Sequence, residues 1–157
     1  MPIVLIRVDD RLVHGQILEG WLPSTRAEEL LIANDALAED DLQKMIMESA
    51  IPYSVSLVID SVDKIAAILL DENLSQTRRM VIVDNPVDAL RLRKAGVDFD
   101  SLNLGNIVEP EYKACLSRSV ALGEECLSAL REIMEEGIKI SIQSVPFEKA
   151  VELNCIR

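Results

Sequence analysis

The chain contains few aromatic residues and a single histidine. Phe, Trp and Tyr make up 3% of its 157 residues, whereas apolar residues make up 49%. A core with so few rings has to be aliphatic, as in a sheet of Val, Ile and Leu covered by helices rich in Ala and Leu. The length suffices for one such core and is short for two. We therefore expect one domain over residues 1–157.

Positive charge is also scarce, with 16 Lys and Arg against 27 Asp and Glu and a net charge of -11. This balance argues against nucleic acid, which proteins bind through clustered Lys and Arg, and against adsorption to anionic lipid. No apolar run approaches the ~20 residues that cross a bilayer, and no signal peptide opens the chain. We expect a cytoplasmic protein that does not insert directly into a membrane.

The three cysteines, Cys115, Cys126 and Cys155, show neither a C-x-x-C spacing nor a neighbouring histidine. Zinc sites usually bring several such ligands together at short spacings. We therefore expect reduced thiols, most of them packed as small hydrophobic side chains, and neither a metal nor a cofactor.

Apolar runs and turn residues alternate along the chain. They predict strands at 2–8, 29–33, 54–59, 79–83, 100–104, 116–122 and 138–145. They predict helices at 15–23, 38–50, 62–70, 86–95, 124–136 and 147–153. Repeated strand–helix units form parallel sheets through right-handed crossovers. The predicted fold class is therefore α/β, with a mostly parallel open sheet of about seven strands and helices on both faces.

The most informative stretch is residues 8–17, which read V-D-D-R-L-V-H-G-Q-I. It lies between the first strand and the first helix, at the sheet edge where open α/β sheets bind ligands. His14 is preceded by Arg11 and followed directly by Gly15. An imidazole, a guanidinium and a helix amino terminus together suit a phosphoryl group or another anion. From the residues alone, a solvated histidine and a non-catalytic anion site both stay open.

The same ten residues, with Trp21 after them, resemble the active-site loop of the IIB components of the mannose/fructose/sorbose family of the bacterial phosphotransferase system. Further motifs resemble the family in order: A-N-D at 33–35, D-N-P at 84–86, L-N-L-G at 102–105 and Q-S-V-P at 143–146. The chain also differs from the family. Asn106 and Ile107 stand where members commonly carry a second glycine and a methionine, and the segment 108–111 is acidic.

The resemblance implies a phosphocarrier, and so a phosphotransferase. By this resemblance His14 accepts a phosphoryl group at Nδ1 from a phosphohistidine of a IIA component. It then passes the group to a sugar bound by the membrane components IIC and IID. Such a protein works in the cytoplasm, at the inner face of the membrane where IIC and IID hold it. Neither the sugar nor the oligomeric state can be read from the sequence, so a homo-oligomer stays open.

Roles for the residues around His14 follow from this implied chemistry. Nδ1 needs a free lone pair, so the ring proton has to sit on Nε2. We expect Arg11 to contact phosphoryl oxygens and the backbone amides at Gly15 and Gln16 to surround the anion. Asp10 is expected to orient Arg11 or the imidazole. For Asp9, simple solvation in the loop and a role in the site are equally supported.

Two alternatives accompany this interpretation. The differences from the family are compatible with a regulatory IIB-like carrier that does not serve transport. Receiver domains of two-component signalling offer the second alternative, since they place an acidic pair after the first strand and a phosphorylated aspartate after the third. Asp9 and Asp10 could form that pair and Asp60 could be the acceptor. The lysine that such domains carry after the fifth strand has no counterpart here.

Overall fold

The predicted strands and helices assemble into one mostly parallel sheet with helices against it. The computed structural model describes residues 3–71, 73 and 76–156. Its strands are β1 (Ile3–Asp9), β2 (Glu29–Ala33), β3 (Ser56–Asp60), β4 (Arg79–Val83), β5 (Ser101–Val108), β6 (Ala114–Cys115), β7 (Val120–Leu122), β8 (Lys139–Ile142) and β9 (Val151–Leu153). The predicted first strand began at residue 2, which lies outside the described residues. The α/β class and the open parallel sheet are confirmed.

The helices lie between these strands. A π-helical segment (Gln16–Trp21) continues into α1 (Leu22–Thr25), and the others are α2 (Asp35–Ala38), α3 (Asp41–Ala50), α4 (Val62–Leu70), α5 (Pro86–Lys94) and α6 (Glu124–Glu135). Among the described residues, none of them is both long and apolar enough to cross a bilayer.

The sheet order is β3-β2-β4-β1-β5-β7-β6, and β8 pairs with the first half of β5 and with β9. All neighbours are parallel except β6 with β7 and β8 with β9. β1 therefore lies inside the sheet, between β4 and β5, and the loop after it opens at the carboxyl ends of three strands.

Aliphatic side chains fill both faces of the sheet, as predicted from composition. Successive residues of a strand point to opposite faces. Leu31 and Ala33 of β2 pack in one cluster, and Leu30 and Ile32 pack in the other with Trp21. The second cluster anchors the π-helical segment and so fixes the loop that precedes it.

Within the described residues, nine strands form where seven were predicted. Residues 116–122 were predicted as one strand, but serines at 117 and 119 close a turn in which Ser117 Oγ accepts from the Ser119 amide at 3.2 Å. The turn leaves β6 and β7 as a short antiparallel pair.

The predicted closing helix at 147–153 is wrong. Residues Val151–Leu153 instead form β9, which pairs with β8 from Ile142 opposite Val151 to Ile140 opposite Leu153. An edge strand presents unpaired backbone groups, and hydrogen bonding along β8 outweighs the weak helical pattern of so short a segment.

Two further expectations need correction. The predicted helix at 38–50 begins later, at Asp41, because Asp40 accepts from the Gln43 amide at 3.1 Å and caps α3. Residue 38 instead ends α2, a separate helical turn that Asn34 caps by accepting from the Leu37 amide at 2.8 Å. Of the three free cysteines only Cys126 is buried, and burial raises the pKa of its thiol to about 12. Cys115 and Cys155 are exposed, on short segments at the margin of the sheet.

Candidate functional site

The loop after β1 forms a hydrogen-bonded turn that precedes His14. The amide of Leu12 donates to the carbonyl of Asp9 at 3.1 Å, and Leu12 adopts a left-handed backbone with φ of 59°. That conformation is costly for a residue with a branched side chain, and burial of the leucine holds it in place. The carbonyl of His14 then accepts from the amides of Ile17 and Leu18, which starts the π-helical segment.

The imidazole of His14 is held by a buried carboxylate. Its Nε2 lies 2.9 Å from Asp9 Oδ2, and the side chain of His14 is 16% exposed while that of Asp9 is fully buried. An ionised carboxylate only accepts hydrogen bonds, so Nε2 carries the ring proton. Nδ1 is left with its lone pair, the arrangement that transfer at Nδ1 needs.

The role predicted for Asp10, to orient the imidazole, therefore belongs to Asp9. Asp10 is exposed, and its amide donates to the carbonyl of Asn106 at 2.7 Å. Solvation of Asp9 in the loop is excluded by its burial. The reason is the strand period: β1 runs through Asp9, so Asp9 points toward the interior beside Arg7 and Asp10 does not.

Arg7 is a fully buried residue that sequence reasoning missed. Its Nε donates to Asp9 Oδ2 at 3.1 Å and its Nη1 to Asn103 Oδ1 at 2.5 Å. The carbonyls of Gln143 and Ser144 accept from Nη1 and Nη2 at 2.8 and 3.0 Å. The guanidinium also stacks 5.0 Å from the centre of the Trp21 ring. An arginine two residues before an aspartate, inside an otherwise apolar strand, is the signal that could have revealed the pair.

Asn106 and Gln16 complete the cluster. Asn106 Nδ2 donates to Asp9 Oδ2 at 3.0 Å and to Gln16 Oε1 at 2.9 Å. Arg7 Nη2 approaches the same Gln16 oxygen at 3.4 Å. Gln16 was predicted to contribute its backbone amide, and its side chain proves to be part of the site as well.

The cluster keeps Asp9 ionised although it is buried. Burial by itself raises the pKa of Asp9, but hydrogen bonds from His14 and Asn106 and the charge of Arg7 outweigh it, so the pKa lies below its usual range. A buried carboxylate with three donors on one oxygen is a fixed negative charge beside the imidazole.

The remaining predicted site residues lie at the loop surface. Arg11 and Gly15 are exposed, and the backbone amide of Arg11 donates to Asp9 Oδ1 at 3.1 Å. Within the described part of the chain, the Arg11 guanidinium forms no hydrogen bond with protein groups. Gly15 directly precedes the first helical turn, where the N–H groups lack acceptors within the helix. The loop thus offers a cation and, within the described residues, the unpaired backbone amides of Gly15 and Gln16 close to His14.

Gly105 makes room for the buried guanidinium. A methyl group on its Cα would lie 2.1 Å from Arg7 Nη2, far inside contact distance. We expect Gly105→Ala to lower the free energy of unfolding by about 1–3 kcal/mol, as overpacking does. Gly15→Ala is the matched control, because its added methyl group meets nothing within 4 Å. Chemical denaturation of both variants measures the difference, and equal stability would show that Arg7 moves aside freely.

Other polar residues at strand ends serve as helix caps, as their turn chemistry indicates. Asn34 caps α2, and Asn85 accepts from the Asp88 amide at 2.9 Å to cap α5. In the described part of the chain, no three His, Cys, Asp or Glu side chains come together as a metal site requires.

The sheet order separates the residues of the receiver alternative. Asp60 ends β3 at the sheet edge, and β2 and β4 lie between it and β1. At ~4.8 Å per strand, Asp60 is about 14 Å from the Asp9–Asp10 pair. These carboxylates cannot share one Mg²⁺ ion, so the structure does not support phosphorylation at Asp60.

Several known proteins have sequences related to this chain. Residues 3–156 match the family model described as "PTS system sorbose subfamily IIB component". The chain is 30% identical to the PTS system fructose-specific EIIB component of Bacillus subtilis (strain 168), over 93% of this chain and 90% of that protein. It is 26% identical to the PTS system mannose-specific EIIAB component of Escherichia coli (strain K12), over 98% of this chain but 47% of that protein.

A solved structure agrees with both the sequence and the fold. The crystal structure of the IIBSor domain of the sorbose permease from Klebsiella pneumoniae superposes with a TM-score of 0.90 at 28% identity, covering 96% of this chain and 93% of that one. Family model, relatives and fold therefore agree over nearly the whole length. The chain belongs to the sorbose-subfamily IIB components of the phosphotransferase system.

Proposed function

We propose that this chain is the phosphocarrier of a sugar phosphotransferase system and that His14 Nδ1 carries the phosphoryl group. The observation that carries the proposal is the contact between His14 Nε2 and Asp9 Oδ2 at 2.9 Å. It leaves Nδ1 as the nucleophilic nitrogen on a loop open to a partner protein. Residues 1–157 then act as one IIB domain.

The transfer step uses groups that are already in place. The Nδ1 lone pair attacks phosphorus of a IIA phosphohistidine, a new N–P bond forms, and the old one breaks as the donor imidazole leaves with its electron pair. His14 keeps its proton on Nε2, so positive charge develops on the ring. Asp9 accepts from that N–H and offsets the charge without moving, which is electrostatic preorganisation.

The second half of the cycle reverses the bond changes. A sugar hydroxyl attacks the phosphoryl group and gives its proton to water or to a base at the sugar site. The N–P bond breaks, its electron pair returns to Nδ1, and His14 recovers the neutral ring. The first transfer replaces one P–N bond by another, and the second replaces a P–N bond by a P–O bond. The protein therefore mainly has to position the partners and offset charge. The proposed partners are a IIA component as donor and the membrane components IIC and IID, which bind the sugar. They would hold this chain at the inner face of the membrane.

The names of relatives support this assignment of partners. The mannose-specific EIIAB component carries its match to this chain within a longer protein whose name joins A and B parts.

The acidic segment 108–111, which differs from the family, has a structural use, because Glu109 Oε1 accepts from the Gly123 amide at 2.9 Å ahead of α6. That use explains part of the difference without a change of partner.

Labelling with radioactive phosphoenolpyruvate, the general phosphotransferase proteins and a IIA component tests the proposal. We expect a single acid-labile phosphoryl group per chain, which disappears when membranes containing IIC, IID and the cognate sugar are added. Labelling that persists with every sugar would favour the regulatory carrier without transport. No labelling would contradict the proposal.

Arg11 provides the second test. We expect Arg11→Gln to slow phosphoryl transfer on the order of 10²-fold, because it removes a charge that stabilises the phosphoryl oxygens. Arg11→Lys should recover only part of the rate, since a point charge does not replace the planar fork. Quench-flow transfer kinetics measure both. Arg26→Gln, an exposed arginine between α1 and β2, is the control, and equal rates for all variants would mean that Arg11 only faces solvent.

A further inference from the structure

Asn106 reaches the site because β5 is irregular beside β1. The pairing runs from Arg7 with Asn103 and Val8 with Leu104 to Asp9 with Asn106, so Gly105 is passed over. Asn103 and Asn106 are three residues apart and would point to opposite faces of a regular strand. The bulge brings both onto the face that holds Arg7 and Asp9.

The chemistry of its neighbours fixes the orientation of the Asn106 amide. The carboxylate of Asp9 only accepts hydrogen bonds, so the NH₂ group of Asn106 faces it. The second hydrogen of that group points to Gln16 Oε1 at 2.9 Å. Asn106 is 9% exposed, so water does not compete strongly for either bond.

The orientation of Gln16 follows from that of Asn106. Its carbonyl oxygen faces two donors, Asn106 Nδ2 and Arg7 Nη2. Its NH₂ group therefore faces away from the buried cluster, and within the described residues it donates to no protein acceptor. Gln16 lies two residues after His14, at the start of the helical segment. Its free N–H groups are thus available to a ligand of the loop.

We propose that Asn106 is a positioning residue for the phosphoryl relay. It holds Asp9 Oδ2 against the Nε2–H of His14, and it turns Gln16 so that Gln16 Nε2 donates to an oxygen of the phosphoryl group on Nδ1. The inference rests on the proposed function of His14. A glycine at position 106 would supply neither hydrogen bond, so the placement of Asp9 Oδ2 against His14 and the direction of the Gln16 side chain both depend on this amide.

Replacing the Asn106 amide by a carboxyl group gives the most informative variant. Asn106→Asp keeps the shape of the side chain and replaces two donors by acceptors, so at neutral pH two carboxylates meet between Arg7 and His14. One of them has to take up a proton as the pH falls, because like charges in one buried site raise each other's pKa. The protonated carboxyl donates to Asp9 again. The loss of transfer rate in Asn106→Asp should therefore become smaller toward acid pH.

The experiment combines NMR with transfer kinetics. His14 is the only histidine, so ¹⁵N spectra of labelled protein report its tautomer without assignment. We expect the wild type to show the Nε2–H form, and Asn106→Gly and Asn106→Asp to show a mixture at neutral pH. Transfer from the IIA component should slow on the order of 10–100-fold in both variants, as for other residues that orient reacting groups. Only the Asn106→Asp rate should recover as the pH is lowered.

Asn34→Asp is the matched control, since Asn34 is a buried strand-end asparagine that caps α2 and contacts neither Asp9 nor Gln16. An unchanged His14 tautomer in both Asn106 variants would overturn the inference even if labelling of His14 succeeds. Rate losses of equal size at every pH in both variants would likewise show that Asn106 acts only through packing. If the wild type takes no label, the proposed function fails, and the tautomer measurement still decides whether Asn106 positions the ring.

Discussion

His14→Gln is expected to abolish phosphorylation of the chain by the IIA component. Glutamine keeps a polar side chain of similar length, and its amide can still donate to Asp9. It has no ring nitrogen whose lone pair can form a stable bond to phosphorus. Since the chain has no other histidine, no second imidazole can accept the phosphoryl group in its place. The expected loss is therefore complete.

The measurement is incorporation of radioactive phosphate after a fixed time, followed by acid and base treatment. Asp60→Asn is the matched control, because it removes the carboxylate of the receiver alternative and should label like the wild type. Equal labelling of His14→Gln and wild type would refute the phosphohistidine. A base-labile label that is lost in Asp60→Asn would restore the receiver alternative.

Arg7→Met should produce the largest loss of stability. Arg7 and Asp9 are both fully buried, and their side chains meet at 3.1 Å. Methionine fills part of the space but leaves the carboxylate without its cation, and breaking a buried pair by removing one partner costs about 3–5 kcal/mol. Lys94→Met is the control. Lys94 pairs with Glu132 at the surface at 3.2 Å, so its loss should cost at most about 1 kcal/mol.

The pH dependence distinguishes a charge effect from a packing effect. In the wild type the pKa of Asp9 is lowered, so its interactions stabilise the protein above about pH 4 and are lost as the pH falls through the lower folded pKa. Without Arg7, one of the interactions that lower the pKa of Asp9 is lost, so the folded variant takes up a proton at a higher pH than the folded wild type does. The difference between wild type and Arg7→Met should therefore shrink toward acid pH.

Urea denaturation of the wild type and of Arg7→Met at several pH values measures this difference. A difference that stays constant with pH would mean that Arg7 matters through its packing against Trp21 rather than through its charge.

The sequence by itself determined the architecture and singled out His14 as the candidate for the reactive residue. The strand period, the aliphatic composition and the turn residues are local properties, so they indicate strands, helices and the loop that holds His14 before any contact is known. The secondary-structure prediction was wrong where the segment was short and its apolar pattern was weak. Residues 147–153 have weak helical periodicity, and only the open edge of β8 makes part of that segment a strand.

The tertiary structure alone decided which residues support His14. The supporting residues come from β1, β5 and the start of the π-helical segment: Arg7, Asp9, Gln16 and Asn106. They lie up to 99 positions apart along the chain, and no local pattern links Asn106 to Asp9. The contact depends on the bulge at Gly105, which is a property of strand pairing rather than of composition. Asp10 lost its predicted role for the same reason, because the pleat of β1 turns Asp9, and not its neighbour, toward the buried arginine.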